Sequence, residues 1–280
     1  MKKHLSTILI VVLFFAGLSL LLYPTVSNWW NSYHQTTAAT GYSDAVEAMD
    51  QSQVDELWSD AQDYNEALAK TGNIWVLTED EKAEYQRQLL LPGTEVMCLV
   101  EIPVIDCSLP VYHGVDDAVL QVAVGHIEGS SLPVGGKSTH CVVSGHRGLP
   151  SARLFTDLDQ LVVGDIFMLR TLGKTLTYEV DQIRIVLPDE LDDLQIQEGE
   201  DLCTLVTCTP YGVNSHRLLV RGHRIENLDN VNVVADALRI DPPLVAVCLG
   251  SPILALLLVA TLAKTRKKRP QAQGDSPSQA

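Results

Sequence analysis

Thr204-Leu205-Val206-Thr207-Cys208 is a short apolar run that closes on a cysteine, and the rest of the chain is read outward from it. A second run of the same kind, Arg217-Leu218-Leu219-Val220-Arg221-Gly222, follows after a polar connection. Upstream, Ser144-Gly145-His146-Arg147-Gly148 sets a histidine between glycines. A thiolate that attacks a carbonyl needs an imidazole beside the sulfur and a donor for the developing oxyanion. Cys208 as nucleophile, His146 as proton carrier and Arg217 as oxyanion donor supply those three parts. Each has a plainer reading when taken alone: a small core hydrophobe, a turn residue and a solvated strand residue.

Further runs with strand character lie at 96–103, 109–112, 141–145, 165–172, 176–187, 202–208 and 217–225, bounded by Gly, Pro or Asp. Short helices are expected at 116–124 and 152–161. This pattern is mainly β, and a closed or nearly closed barrel is the arrangement that removes exposed strand edges. Period-two geometry puts Arg217, Leu219 and Arg221 on one face and Leu218 and Val220 on the other. Arg221 therefore competes with Arg217 for the anion-stabilising role. His113, His126, His140, His216 and His223 compete with His146, and His113 before Gly114 is the nearest rival.

On these residues the chain resembles the sortase family, and most of all its pilin-polymerising class C branch. The Thr-Leu-x-Thr-Cys string ending at Cys208, the arginine opening the next strand and the upstream histidine match that family one by one. The similarity runs over about 95–225 and includes Glu101-Ile102-Pro103-Val104-Ile105 and Leu109-Pro110-Val111-Tyr112-His113-Gly114. It implies a sortase-like closed β-barrel of about seven to eight strands. It also implies cleavage of a Leu-Pro-x-Thr-Gly-like sorting signal after Thr through a thioacyl enzyme, with no cofactor. The acceptor in class C is a pilin lysine. A peptidoglycan-precursor amine, as in wall anchoring, or water remains open, and so does a membrane-tethered adhesin or assembly scaffold with a merely buried thiol.

Residues 5–22 carry no charge and follow Lys2 and Lys3. Residues 244–263 are similarly apolar and lead straight into Lys264, Arg266, Lys267, Lys268 and Arg269. Both stretches have the length of a membrane span. Basic residues outside both spans place both termini in the cytoplasm and the intervening chain outside the cell membrane. The expected plan is a cytoplasmic start (1–4), a span (5–22), a tether with an accessory helix (23–72) and a lid with a helix (73–93). The catalytic barrel (94–228), a linker (229–243), a second span (244–263) and a basic cytoplasmic tail (264–280) complete it.

Val54, Leu57, Ala61, Tyr64 and Leu68 recur at helical spacing, with Gly72 as the stop. Thr78 and Glu81 form a capping-box pair that starts a second helix at 79–90. Class C sortases carry a lid in this region with an Asp-Pro-aromatic motif, and this chain has no Asp-Pro there. Trp75 is then expected to take the aromatic place, with Glu79, Asp80 or Glu81 pairing with Arg217. A Trp packed on the accessory helix is the equal alternative.

The net charge is −15, and with the bases flanking the spans and Asp275 set aside, 13 bases face 34 acids. Phosphate binding needs clustered Lys and Arg, so nucleic acid is excluded as a partner. An acidic surface suits either plain solvation or a lysine-bearing partner. No Cys-x-x-Cys or His-Glu-x-x-His spacing indicates zinc. The acidic run Asp189, Glu190, Asp192, Asp193, Glu198, Glu200 and Asp201 lacks an EF-hand glycine and reads as solvated surface rather than a calcium loop. Cys98, Cys107, Cys141, Cys203 and Cys248 show no framework spacing, so buried free thiols are expected, although an outside location permits disulfides.

Overall fold

The computed structural model describes residues 2–227, 250–253 and 255–260. The chain divides into two compact units, Met1–Val26 with Leu238–Ala280, and Ser27–Ala237. Helix α1 (Lys2–Glu47) starts in the first unit, continues into the second from Ser27, and begins with an apolar stretch long enough to cross a membrane. Ile8, Leu9, Val12, Leu13 and Phe15 on it are exposed. Of the second expected span, only 250–253 and 255–260 are described, as a short apolar helix. The expected linker, the basic tail and Cys248 lie outside the described residues.

The expected tether after the first span is not a loose passage, because α1 stays helical to Glu47. Its polar side chains bind the barrel instead of water. Asn31 donates to the Ser151 carbonyl at 2.8 Å, Gln35 donates to the Val122 carbonyl at 2.6 Å, and Asn28 Oδ1 accepts from Arg153 N–H at 3.0 Å. Thr36, Thr37 and Ser43 return their hydroxyls to carbonyls one turn back. Tertiary partners thus override the weak helix propensity of these residues. Helix α2 (Gln51–Thr71) follows, capped by Gly72 at φ 80°. Its buried Asn65 clamps Leu132 through both backbone groups, at 2.7 and 3.1 Å. Helix α3 (Glu79–Arg87) opens with the expected capping box of Thr78 and Glu81.

The barrel strands are β1 (Val96–Ile102), β2 (Cys107–His113), β3 (Val124–His126), β4 (Thr139–Ser144), β5 (Ile166–Thr171), β6 (Lys174–Val186), β7 (Asp201–Thr209) and β8 (His216–Ile225). They close in the order β1-β2-β3-β4-β7-β8-β6-β5. The β2–β3 and β4–β7 pairs are parallel and the others antiparallel. Of the helix expected at 116–124 only one turn forms, α4 (Asp117–Leu120). The chain then enters β3, where a Cβ on Gly125 would lie 1.9 Å from the Gly114 carbonyl oxygen. At 152–161 only the 3-10 turn Leu158–Gln160 is helical. Ala152, Leu154, Phe155, Leu158 and Leu161 there pack into the core of the barrel.

Three apolar clusters hold this arrangement. Cys203, Leu205, Leu218 and Val220 face the barrel interior with Phe167 and Tyr178. Tyr42, Ala61, Tyr85 and Met97 fill the space between the helices and the barrel wall. Val142, Val206, Leu219 and Leu194 form a third cluster on the outer face of β4, β7 and β8, with Trp75, Ile127, Val186 and Leu191 against it. Alternation therefore puts Val206 and Cys208 outward and Cys203 and Leu205 inward.

Two of the rival histidines, His126 and His140, are buried in this framework. His126 accepts or donates through Nδ1 to Tyr85 Oη at 3.0 Å, and its Nε2 meets the Ser131 carbonyl at 2.8 Å. His140 is held between the Gln195 carbonyl and Thr204 Oγ1 at 2.9 and 2.7 Å. Burial lowers both imidazoles to about 4. The unfolded chain, with histidine near 6.5, then binds more protons between these values, so stability present at neutral pH is lost as pH falls through the window. Between pH 7 and pH 5 the expected loss is about 2 kcal/mol for each of the two. Urea unfolding at the two pH values measures it, and equal stabilities would contradict it. His113, also lowered by burial, acts in the same direction. Asp201, whose carboxyl is raised by burial, opposes it at the acid end.

Candidate active site

Cys208 and Arg217 are direct partners on the antiparallel β7–β8 ladder. Side chains so paired stand on one face, here the outer face that carries Val206 and Leu219. Strands β4 and β7 run parallel with Ser144 beside Val206. The pairing continues one step further, with Gly145 N–H donating to the Val206 carbonyl at 3.0 Å and Thr207 Oγ1 donating to the Gly145 carbonyl at 2.8 Å. His146 is the next residue, so it leaves β4 alongside the end of β7 where Cys208 stands. All three side chains are half-buried.

The tie that carries His146 depends on a glycine. A Cβ at Gly145 would fall 2.6 Å from Val124 Cγ1 and 2.8 Å from Phe155 Cδ2, both fixed in the core. Gly145→Ala is therefore expected to cost about 1–3 kcal/mol through overpacking, read as a lower urea midpoint. An unchanged midpoint would show that the shoulder of the site yields.

Neither the His146 ring nor the Cys208 sulfur makes a hydrogen bond within the protein among the described residues, to each other or elsewhere. Loose geometry of this kind is common before substrate binds. Arg217 donates from Nη1 to the carbonyls of Asn214 and His216 at 3.3 and 3.2 Å, and no carboxylate among the described residues engages it. Arg221, by contrast, is committed to Asp181 by two bonds of 3.0 Å. Of these two arginines, Arg217 is the one whose charge meets no carboxylate among the described residues.

The expected pairing of Glu79, Asp80 or Glu81 with Arg217 is not formed. Glu79 and Asp80 are exposed in the first turn of α3, where the helix dipole favours them. Glu81 is spent on Thr78, accepting from its N–H and its hydroxyl at 2.8 Å each. Trp75 packs with the outer-face cluster rather than on α2. Ile74 N–H donates to the Gly129 carbonyl at 3.1 Å, and Asn73 Oδ1 accepts from Ile196 N–H at 2.8 Å. The segment 73–75 is thus strapped between the β3–β4 and β6–β7 connections, with Trp75 against the cluster of Val142, Leu194, Val206 and Leu219 on the barrel face that also carries Cys208 and Arg217.

Cys98, Cys107, Cys141, Cys203 and Cys208 are free thiols. Cys203 faces the barrel core, away from Cys208, and burial raises the thiols of Cys98 and Cys141, and that of Cys107 to about 12. These are inert packing residues.

A closed barrel with a strand-terminal thiol, a cross-strand arginine and a histidine at the next strand end has the parts that thiol acyl transfer requires. A sortase domain profile matches residues 100–225. Sortase C1 from Streptococcus agalactiae is 52% identical, with a TM-score of 0.67 over 68% of this chain and 99% of that one. Streptococcus pneumoniae sortase C is 43% identical, with a TM-score of 0.61 over 69% of this chain and 98% of that one. A lid mutant of sortase A from Corynebacterium diphtheriae is 41% identical, with a TM-score of 0.62 over 66% and 99%. Bacillus subtilis sortase D is 30% identical over 130 residues, and the match spans 63% of its length and 45% of this chain. The chain belongs to the sortase family of cysteine transpeptidases, and solved class C sortases are among its neighbours at 40–52% identity.

Sequence reasoning passed over Arg147, Thr209, Asp159 and Tyr211, which surround the histidine turn. The signal was present in the quoted Ser-Gly-His-Arg-Gly string, but nothing in a sequence says what a buried arginine meets.

Proposed function

We propose that Cys208 attacks the Thr–Gly peptide carbonyl of a Leu-Pro-x-Thr-Gly-like sorting signal. A tetrahedral oxyanion forms, Arg217 donates to it, and His146 protonates the departing amine as the C–N bond breaks. The thioacyl enzyme that results keeps the energy of the peptide bond. A pilin lysine amine then attacks the thioester, His146 takes its proton, the C–S bond breaks and an isopeptide is released with the thiol restored. No cofactor is required. The cross-strand pairing of Cys208 with an uncompensated Arg217, beside the His146 strand end, is the observation that carries this reading.

Class C neighbours, one of them described with pilin substrates, favour a pilin lysine as acceptor. Trp75 and its strap act as the lid on the barrel face that carries Cys208 and Arg217. The apolar start of α1 anchors the chain in the cell membrane, with a second span after the barrel, both termini in the cytoplasm and the barrel outside.

The test is incubation of the full chain in detergent with a Leu-Pro-x-Thr-Gly peptide and either a pilin lysine donor or a peptidoglycan-precursor amine, with products read by mass. An isopeptide-linked product supports the proposal. Product only with the wall amine would make this a wall-anchoring sortase, product only with water a protease, and no cleavage a scaffold.

A further inference from the structure

Arg147 is the residue after the candidate histidine, and its side chain is only 10% exposed. It forms an ion pair through Nη2 with Asp159 and points Nη1 at Thr209 Oγ1 at 3.5 Å, the outer limit of a hydrogen bond. Its guanidinium lies 5.9 Å from the centre of the Tyr211 ring, within cation–π range. The Tyr211 ring also lies over Gly148, where a Cβ would come within 2.9 Å of it. Gly148 N–H donates to Thr156 Oγ1 at 3.1 Å. One side chain therefore joins the histidine turn, the residue that follows Cys208 and the β7–β8 connection.

The backbone tie between this turn and β7 ends at Gly145. From His146 through Gly148, the Arg147–Thr209 bond is the only hydrogen bond that reaches β7 among the described residues. His146 and Cys208 do not bond each other, so their separation is set by whatever holds the turn. Arg147 Nε, moreover, is buried without a partner. A buried charge with a bare donor is often no more stabilising than an apolar side chain of the same volume. Asp159, 44% exposed, is hydrated without it.

We propose that Arg147 is a positioning residue: anchored on Asp159 and covered by Tyr211, it holds the His146 turn against the end of the cysteine strand at the distance proton transfer needs. The inference rests on the roles proposed above for His146 and Cys208.

The experiment uses the full chain in detergent and a fluorogenic Leu-Pro-x-Thr-Gly peptide, comparing wild type with Arg147→Met, Arg147→Lys, Asp159→Asn and Cys208→Ala. Arg147→Met keeps the volume and removes the bonds. It is expected to leave the thermal midpoint and KM nearly unchanged while kcat falls roughly ten- to a hundredfold, the cost of a misplaced reacting group. Arg147→Lys restores part of the loss because its ammonium still meets Asp159, and Asp159→Asn loses less than Arg147→Met. An unchanged kcat in Arg147→Met would overturn the proposal. So would a fall that tracks a lower thermal midpoint and disappears on cooling, since that is a folding effect. Cleavage by Cys208→Ala at the wild-type rate would instead remove the parent reading, whatever the arginine variants do.

Discussion

Arg217→Ala is expected to lower kcat for sorting-signal cleavage by about two to three orders of magnitude, the loss seen when an oxyanion donor is removed from a preorganised site. KM should stay close to wild type, because the donor acts on charge that exists only in the transition state. The folded protein gives up little, since among the described residues the guanidinium is bound by just the Asn214 and His216 carbonyls. Arg221→Met supplies the comparison. It breaks the two bonds to Asp181 and lowers stability, but it should leave kcat of the folded enzyme within about threefold, as its charge is already neutralised. Steady-state kinetics at one temperature separate the two. A severe kcat loss in Arg221→Met with a mild one in Arg217→Ala would reverse the assignment.

The second large effect concerns access to the sulfur. Trp75→Ala should raise the rate at which a small alkylating reagent reaches Cys208. Removing a half-buried indole from the outer-face cluster of Val142, Leu194, Val206 and Leu219 takes away about 2 kcal/mol of apolar burial. That corresponds to roughly thirtyfold more of the open strap. The bonds from Asn73 and Ile74 remain, so the segment loosens without leaving the barrel. Alkylation followed by intact mass reports the rate, and a rate equal to wild type would deny Trp75 any part in covering Cys208.

Much of the architecture was legible because it follows from alternation. The apolar run ending at Cys208 and the run opening at Arg217 read as adjacent strands, and the ladder pairs those two residues directly. The capping box at Thr78 and the glycine stop at Gly72 were equally readable, since both are local chemistry. What escaped depends on partners distant in the chain. Asn28, Asn31 and Gln35 look like a solvated tether until barrel backbone groups are found opposite them. Three residues of β3 are too few to show a period, and the close approach of Gly125 to Gly114 replaces any pattern. The acids of α3 looked free to meet Arg217, but the helix start had a use for them.

Incubating the full chain with a Leu-Pro-x-Thr-Gly peptide, quenching in acid and mapping the adduct by mass tests the central claim most directly. The account predicts a thioester ending in the peptide's threonine on Cys208, lost in Cys208→Ala and diminished in His146→Ala and Arg217→Ala. A thioester on any other cysteine, or cleavage that survives loss of the Cys208 sulfur, would contradict it.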